Sequence, residues 1–239
     1  MGTKTVTMDT IALAMAHRNR LPEPKRFQSV VEWQFPRAHR YFDDCGKLIA
    51  VIEQAFPGLI CQGMSPDGFR FVGSSHGITA AHFYWEKASV SQVGKGDAGL
   101  ADATVRFWSL VQAGLGISSV SRLGHRTWLL YETNTQADAN HWLSGFRFLA
   151  FDREGGDVLG TPDAGGSVIR TKLEVGGRRL RLEVNAGTAS INQKQVHGVF
   201  VDADIVLEPL DSTENLGEFV SWNGTFIREN IEPWFRGKK

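Results

Sequence analysis

Residues 117–132 read ISSVSRLGHRTWLLYE, the longest strand-like run near the middle of the chain. Side chains of a β-strand alternate between its two faces, so the even-numbered positions should share one face, and two of them are arginines. Two guanidinium groups on one face can bind a carboxylate or phosphate of a ligand, or they can pair with an acidic neighbouring strand. Paired charges are often structural, so both interpretations stay open. The shared face carries Arg122, Gly124, Arg126 and Trp128.

The composition is that of an ordinary folded protein. The chain has 239 residues, 42% of them hydrophobic and 22% charged, which is enough for a sizeable core. Its 26 basic and 26 acidic side chains cancel, so no overall field would attract nucleic acid or an anionic membrane surface. We therefore expect no membrane association, and nucleic acid could be a partner only through a local patch of basic side chains.

The cysteines and the hydropathy pattern predict a cytoplasmic location. Cys45 and Cys61 are too few for a disulfide framework and lack the spacing of a metal site, so we expect reduced thiols. The short apolar patch near the start is too short to span a bilayer, and it is not followed by a signal-peptide pattern. Nothing in this pattern requires an extracellular setting.

The domain organisation follows from a composition change near the start. Residues 1–28 read as a flexible lead that ends beside two prolines. Residues 29–239 predict a single α+β domain made of two halves, about 29–116 and 117–239. Each half has the order of a β-α-β-β unit, although no residue-level repeat accompanies it.

Hydrophobic periodicity places the individual elements. An apolar segment at 146–151 has no clear type, and glycines make 152–166 a long loop. Strands are predicted at 29–35, 68–73, 78–93 with a bend or break near Lys87, 117–132, 168–175, 178–185 and 199–208. Helices are predicted after a cap at Asp43 or Asp44 as far as Pro57, at 102–115, at 136–143, and from a capping box at Asp211 and Glu214 to Pro233.

The terminal helix decides the expected architecture. A long amphipathic helix that follows a three-stranded antiparallel meander should lie across the dry face of that meander. The fold class is therefore α+β, a curved antiparallel sheet or sheets with helices packed on one face. Two joined sheets and one continuous sheet that wraps the helix are both compatible with the pattern. The apolar stripe of this helix consists of Leu216, Phe219, Val220, Ile227 and Ile231.

A series of short motifs carries a resemblance. In chain order these are VVEWQF, a helix ending in Phe-Pro, the RLGHR insert, FVDAD at 200–204, and a terminal helix with Glu218-Phe219-Val220 and Phe226. The series is similar to a sporadically distributed, uncharacterised bacterial protein family of about this length, which has RLGLRY-like and FLDIDV-like strands. The resemblance spans about 30–235, with His125 in place of an apolar residue and Thr127-Trp128 in place of an aromatic-Asn pair. It implies a fold and a bacterial cytoplasmic setting, and no catalytic residue.

Two aspartates are the candidate metal ligands. Asp202 and Asp204 share a strand face, and two carboxylates so placed can bind Mg²⁺ or Mn²⁺. They can equally pair with a basic neighbouring strand, for which Arg179 and Arg181 are candidates. The seven histidines show no metal-binding spacing, and neither a nucleophile elbow nor a phosphate loop occurs. We expect no cofactor.

The middle third of the chain is rich in aromatic side chains. Core packing is their ordinary use. The functional interpretation is a sheet cavity for an apolar or aromatic ligand, with Arg122 or Arg126 at its mouth. The predicted ligand-binding residues are Arg122, Arg126, Trp128, Trp85 and Tyr131.

These observations favour a non-enzymatic binding or interaction protein of a bacterial cytoplasm, because the sequence lacks a coherent catalytic set. Its partner would be another protein or a small molecule, and a homo-oligomer is compatible with the pattern. The alternative is a metal-dependent hydrolase or nuclease that uses Asp202 and Asp204. A third hypothesis is a nucleic-acid-binding regulator that uses Arg170, Lys172, Arg179 and Arg181.

Overall fold

The computed structural model describes residues 21–65, 68–94, 99–145, 168–175, 177–191, 193–208 and 215–236. Within these ranges the strands form one antiparallel sheet. They are β1 (Lys25–Gln34), β2 (Leu59–Ser65), β3 (Gly68–Ser75), β4 (Ile78–Phe83), β5 (Lys87–Val93), β6 (Arg122–Thr133), β7 (Val168–Val175), β8 (Arg178–Ile191) and β9 (Lys194–Leu207). The sheet order is β2-β3-β4-β5-β1-β6-β9-β8-β7.

Helices connect the strands and follow the last of them. They are α1 (Tyr41–Ala55), α2 (Leu100–Leu115), α3 (Gln136–Gly145) and α4 (Leu216–Phe226), which continues through a π-helical turn (Ile227–Ile231) into α5 (Glu232–Phe235). No helix in the described part of the chain is both long enough and apolar enough to cross a bilayer.

The two halves of the sheet follow similar paths, with four strands in the meander of the first half and three described strands in that of the second. In the first, β1 and α1 lead into the meander β2 to β5 and then α2, and in the second, β6 and α3 lead into the meander β7 to β9 and then α4. The last strand of each meander pairs with the strand that opened its half, β5 with β1 and β9 with β6. Strands β1 and β6 pair with each other and join the halves. Of the two arrangements expected, the single continuous sheet is the one found.

One face of this sheet is buried under the helices. In β1 the odd positions Val31 and Trp33 are fully buried, and in β6 so are Leu129 and Tyr131. The indole of Trp33 stacks on that of Trp108 in α2, with ring centroids 5.2 Å apart. Helix α3 contacts β8 and β9, and α2 packs against both α1 and α4. The predicted α+β class with helices on one face of an antiparallel sheet is confirmed.

The terminal helix buries its predicted stripe but does not end where expected. The backbone N–H of Glu232 bonds to the carbonyl of Ile227, so the chain widens by one residue per turn just before Pro233. Proline has no N–H to donate and is tolerated in the first turn of the short helix that follows. The predicted end at Pro233 is therefore wrong. The capping box at Asp211 and Glu214 lies outside the described residues.

Strand β1 begins inside the predicted lead. Residues 1–20 are outside the described part, whereas Leu21 is buried in the core and the strand starts at Lys25. Arg26 explains this early start, because its Nε donates to Glu232 Oε1 at 2.7 Å and its Nη2 donates to the carbonyl of Gly224 at 3.2 Å. The first residues of the strand are thus tied to the terminal helix.

Other element boundaries also differ from the expectations. Helix α1 begins at Tyr41 without a side-chain cap, and Asp43 and Asp44 lie in its first turn. Strand β2 was not predicted, because its sequence LICQGMS lacks alternation and a bulge separates Cys61 from Gly63. The predicted strand at 78–93 is two strands, β4 and β5. The apolar segment at 146–151 and the loop at 152–166 lie outside the described residues.

Candidate functional site

The predicted arginines lie on the face of the sheet that none of the described helices covers, which we call the uncovered face. Arg126 lies opposite Val30 of β1 on one side and opposite Asp204 of β9 on the other. Trp128 lies opposite Asp202 in the next row. The odd positions of β6 point into the core, so strand alternation places its even positions on this uncovered face.

A depression of about 220 Å³ opens on this face where β1 and β6 pair, that is, at the junction of the two halves. Ligand pockets occur preferentially at such junctions between structural units. The depression is lined by Val30, Glu32, Arg122, Gly124, Arg126, Trp128 and Asp204.

Gly124 forms the floor of the depression and makes room for Arg122. A Cβ atom at this position would lie 3.0 Å from Nη1 and 3.2 Å from Nη2 of Arg122. These distances are shorter than ordinary van der Waals contact, so a side chain here would displace the guanidinium. The glycine therefore allows Arg122 to lie flat against the strand that carries it.

Arg122 connects carboxylates from two strands. Its Nη1 is 3.4 Å from Glu32 Oε1 in β1, and its Nη2 is 3.2 Å from Asp204 Oδ2 in β9. Its Nε is 3.1 Å from Oε1 of Glu208, which follows β9. Only 22% of the Arg122 side chain is exposed. This arginine joins β1, β6 and β9, as expected if it pairs with acidic neighbouring strands instead of binding a ligand.

Arg126 is paired more simply and is more open to solvent. Its Nε donates to both oxygens of Asp202, at 2.8 and 3.0 Å, and its Nη2 also contacts Oδ2. The guanidinium lies over the Trp128 ring, 4.6 Å from the centroid. With 48% of its side chain exposed, Arg126 is more accessible to a ligand than Arg122.

The surroundings of Asp204 and Arg126 shift the pKa of each group. Burial raises the pKa of Asp204 above its usual value, while Arg122 and Arg126 act in the opposite direction. The hydrogen bond to Asp202 raises the pKa of Arg126 and keeps this guanidinium charged. The depression therefore contains a guanidinium that stays charged beside a carboxyl group that releases its proton at a higher pH than usual.

Two of the five predicted ligand-binding residues lie elsewhere. Tyr131 occupies an odd position of β6, so it is fully buried in the core, and its hydroxyl donates to the carbonyl of Glu232 at 3.3 Å. Trp85 lies in the turn between β4 and β5, where its ring contacts Phe42 and the guanidinium of Arg37. The structure brings together Arg122, Arg126 and Trp128, and among the described residues Trp128 is the one aromatic side chain that lines the depression.

The two candidate metal ligands are engaged by arginines. Asp202 pairs with Arg126 and Asp204 with Arg122, rather than with the expected Arg179 and Arg181. Among the described residues, no group of three histidine, cysteine, aspartate or glutamate side chains is arranged to hold a metal ion. Two carboxylates already paired with guanidinium groups are a poor ligand set for a divalent cation.

The basic residues considered for nucleic acid binding are interspersed with acidic ones. Arg179 pairs with Glu208, and Arg181 lies 3.5 Å from Glu183. Lys172 is exposed in β7, and the side chain of Arg170 lies outside the description. The described part of this surface therefore lacks the continuous basic track that nucleic acid binding requires.

Sequence reasoning missed two acidic residues of the site, Glu32 and Glu208. The available signal for Glu32 was its outward position in the apolar strand VVEWQF. Its partner Arg122 lies 90 positions away in the chain, so their contact depends on the pairing of β1 with β6. Glu208 had no comparable signal, because it comes at the very end of a strand.

Comparisons with known proteins do not assign a family. No protein-family model and no curated protein matches the chain. Among solved structures, an aspartate kinase from Clostridium acetobutylicum has 10% identity and a TM-score of 0.24 over 86% of this chain and 35% of that chain. A rolling circle replication initiator from Geobacillus stearothermophilus has 9% identity and a TM-score of 0.25 over 84% of this chain and 79% of that chain.

Proposed function

We propose that this protein is a non-enzymatic binding protein that holds a small organic carboxylate in the depression between β1 and β6. One observation carries the proposal: a recess at the junction of the two halves, on the uncovered face and lined by Gly124, with an accessible guanidinium beside it. Arg126 would bind the carboxylate, and the Trp128 ring beneath it would hold the guanidinium in place.

The arrangement supports binding rather than catalysis. Each carboxylate of the site, Glu32, Asp202 and Asp204, is tied to an arginine by an ion pair, and this pairing favours a binding role. In the described part of the chain no third side chain joins Asp202 and Asp204 as a metal ligand, so the geometry does not favour a metal-dependent hydrolase or nuclease. We therefore propose no reaction.

The test is calorimetric titration of the protein with 4-methylbenzoate. We expect saturable binding by the native chain and its loss in Gly124→Val, whose side chain would fill the floor and displace Arg122. The matched control is Gly187→Val, another strand glycine whose added Cβ would approach nothing closer than 3.9 Å. Absence of saturable binding, or equal binding by both variants, would overturn the proposal.

A second candidate function is docking of a protein partner on the same face. On the β2 to β5 side of Val30, the apolar side chains of Ile60 in β2 and Val93 in β5 are 62% and 59% exposed. Exposed apolar side chains on a sheet face are a common feature of protein interfaces. Purification of a stoichiometric complex from the source cell, lost in Ile60→Glu, would favour this function over ligand binding.

The cellular setting is part of the proposal. Cys45 and Cys61 are free thiols, which fits a reducing bacterial cytoplasm. Membership of the bacterial family that the motifs resemble also remains a proposal, and an alignment of the RLGHR and FVDAD strands with that family would test it.

A further inference from the structure

We infer that the ligand of the depression is zwitterionic, with a cationic group as well as a carboxylate. This inference rests on the proposed binding function and concerns the chemistry of the ligand. It follows from the atoms of the lining residues that have no hydrogen-bond partner among the described residues.

The first of these atoms is a donor. Arg126 uses Nε and Nη2 for Asp202, so its Nη1 remains available for a ligand oxygen. A guanidinium donates charge-assisted hydrogen bonds to carboxylates, which are stronger than neutral ones. The carboxylate of the ligand is therefore assigned to Arg126.

The other atoms are acceptors. Both Gln34 Nε2 and Arg122 Nη1 contact the same oxygen of Glu32, Oε1, which leaves Oε2 available. Asp204 likewise uses Oδ2 for Arg122 and keeps Oδ1 available. Glu32 is the more accessible of the two, with 34% of its side chain exposed against 19% for Asp204. An ammonium group of the ligand would donate to Glu32 Oε2.

The charge of the lining agrees with this assignment. The lining contains two arginines and two carboxylates, and Asp202 and Glu208 add further carboxylates to the same arginines. The recess therefore has no excess positive charge to attract a simple anion over a distance. A ligand that carries both charges meets a complementary group at each end. A simple carboxylate leaves Glu32 facing apolar ligand atoms, and burying an unpaired carboxylate is costly.

Spacing and volume define the ligand further. Val30 lies opposite Arg126, and Glu32 is two residues further along β1, which corresponds to about 7 Å along the strand. The space of about 220 Å³ exceeds the roughly 150 Å³ that accepts benzene and is below the roughly 300 Å³ at which drug-sized pockets begin. A single ring or short chain with its charges at opposite ends fits both limits.

Three probes that share a para-substituted benzene ring test the inference by calorimetry: 4-(aminomethyl)benzoate, 4-methylbenzoate and 4-methylbenzylammonium. The para-substituted ring of the first holds its two charges at a separation similar to the spacing on the strand. We expect the zwitterion to bind at least about tenfold more tightly than either singly charged probe, since one additional charge-assisted hydrogen bond typically accounts for such a factor.

Substitution of the proposed ammonium acceptor provides the second measurement. Glu32→Gln should reduce the affinity for 4-(aminomethyl)benzoate and abolish its preference over 4-methylbenzoate. Glu174→Gln, an exposed glutamate of β7, is the matched control and should alter neither.

The outcomes separate the inference from the function on which it rests. Equal affinities for the zwitterion and 4-methylbenzoate, both lost in Gly124→Val, would overturn the inference and keep the binding function. Failure of all three probes to bind the native chain would overturn both. An undiminished preference for the zwitterion in Glu32→Gln would also remove the assignment of its ammonium group.

Discussion

The two faces of β6 are built from alternate residues of one strand, yet they are held by different forces. On the core face, Leu129 and Tyr131 are fully buried, and shape determines which side chain fits. On the uncovered face, Arg122 and Arg126 are positioned by ion pairs with acidic residues of other strands. The difference shows that one strand can secure a core with one set of side chains and present a polar surface with the other.

The largest effect is expected on the core face. Tyr131→Ala removes a buried aromatic ring and should lower the free energy of unfolding by about 3–5 kcal/mol. Tyr131→Phe keeps the ring and loses only the hydroxyl contact with Glu232, so it should cost about 1 kcal/mol. Urea denaturation of the two variants measures this. Similar losses would mean that the hydroxyl, rather than packing, holds the core face together.

The Arg122 cluster should give the next largest effect. Arg122→Met keeps most of the side-chain volume but leaves three partly buried carboxylates without their shared partner. We expect a loss of about 1–3 kcal/mol in the free energy of unfolding. If the uncovered face had no structural role, this variant would unfold at the same urea concentration as the native protein.

Arg126→Met should have a smaller effect on stability. Arg126 is about half exposed, and exposed ion pairs contribute about 0.2–1 kcal/mol. Added salt should reduce this contribution further, because solvent ions screen exposed charges. A loss equal to that of Arg122→Met, measured by the same denaturation, would show that exposure does not distinguish the two arginines.

The smallest effect concerns pH. The pKa of Asp204 in the folded protein is raised above its usual 3.8, mainly by burial. The folded state therefore holds this proton more tightly than the unfolded state, so protonation of Asp204 contributes to the free energy of unfolding. This contribution is fully present below pH 3.8 and is lost as the pH rises through the pKa of the folded state.

The variant Asp204→Asn should lack this decline. Denaturation of both proteins at several pH values from about 3.8 upward gives the slope of the free energy of unfolding against pH for each. Coinciding slopes would contradict the assignment of the decline to Asp204.

Local pattern was sufficient for much of the fold. Strand β7 has the predicted bounds Val168–Val175, and the predicted stripe from Leu216 to Ile231 is buried. Period-two alternation also predicted which side chains of β6 share a face, because this alternation depends only on consecutive residues. It also placed Tyr131 on the opposite face from Arg126, so grouping the two in one cavity conflicted with the pattern itself.

Local sequence pattern could not predict which residues pair with one another in the site. Asp204 lies in register with Arg181, the expected partner, but Arg122 reaches it from the other side because Gly124 leaves room. The neighbours of a strand depend on contacts between distant segments, which no window of consecutive residues contains. The bulge in β2 disrupted the one signal that could have predicted that strand.

The bond between Arg26 and Glu232 has a consequence for how fast the protein folds. It connects positions 206 apart in the chain, and β1, to which Arg26 belongs, lies in the middle of the sheet. Closing so large a loop costs chain entropy before any contact repays it. The two meanders, whose strands are neighbours in sequence, should therefore assemble early and independently. The centre of the molecule, where the proposed ligand would bind, should be the last part to become ordered.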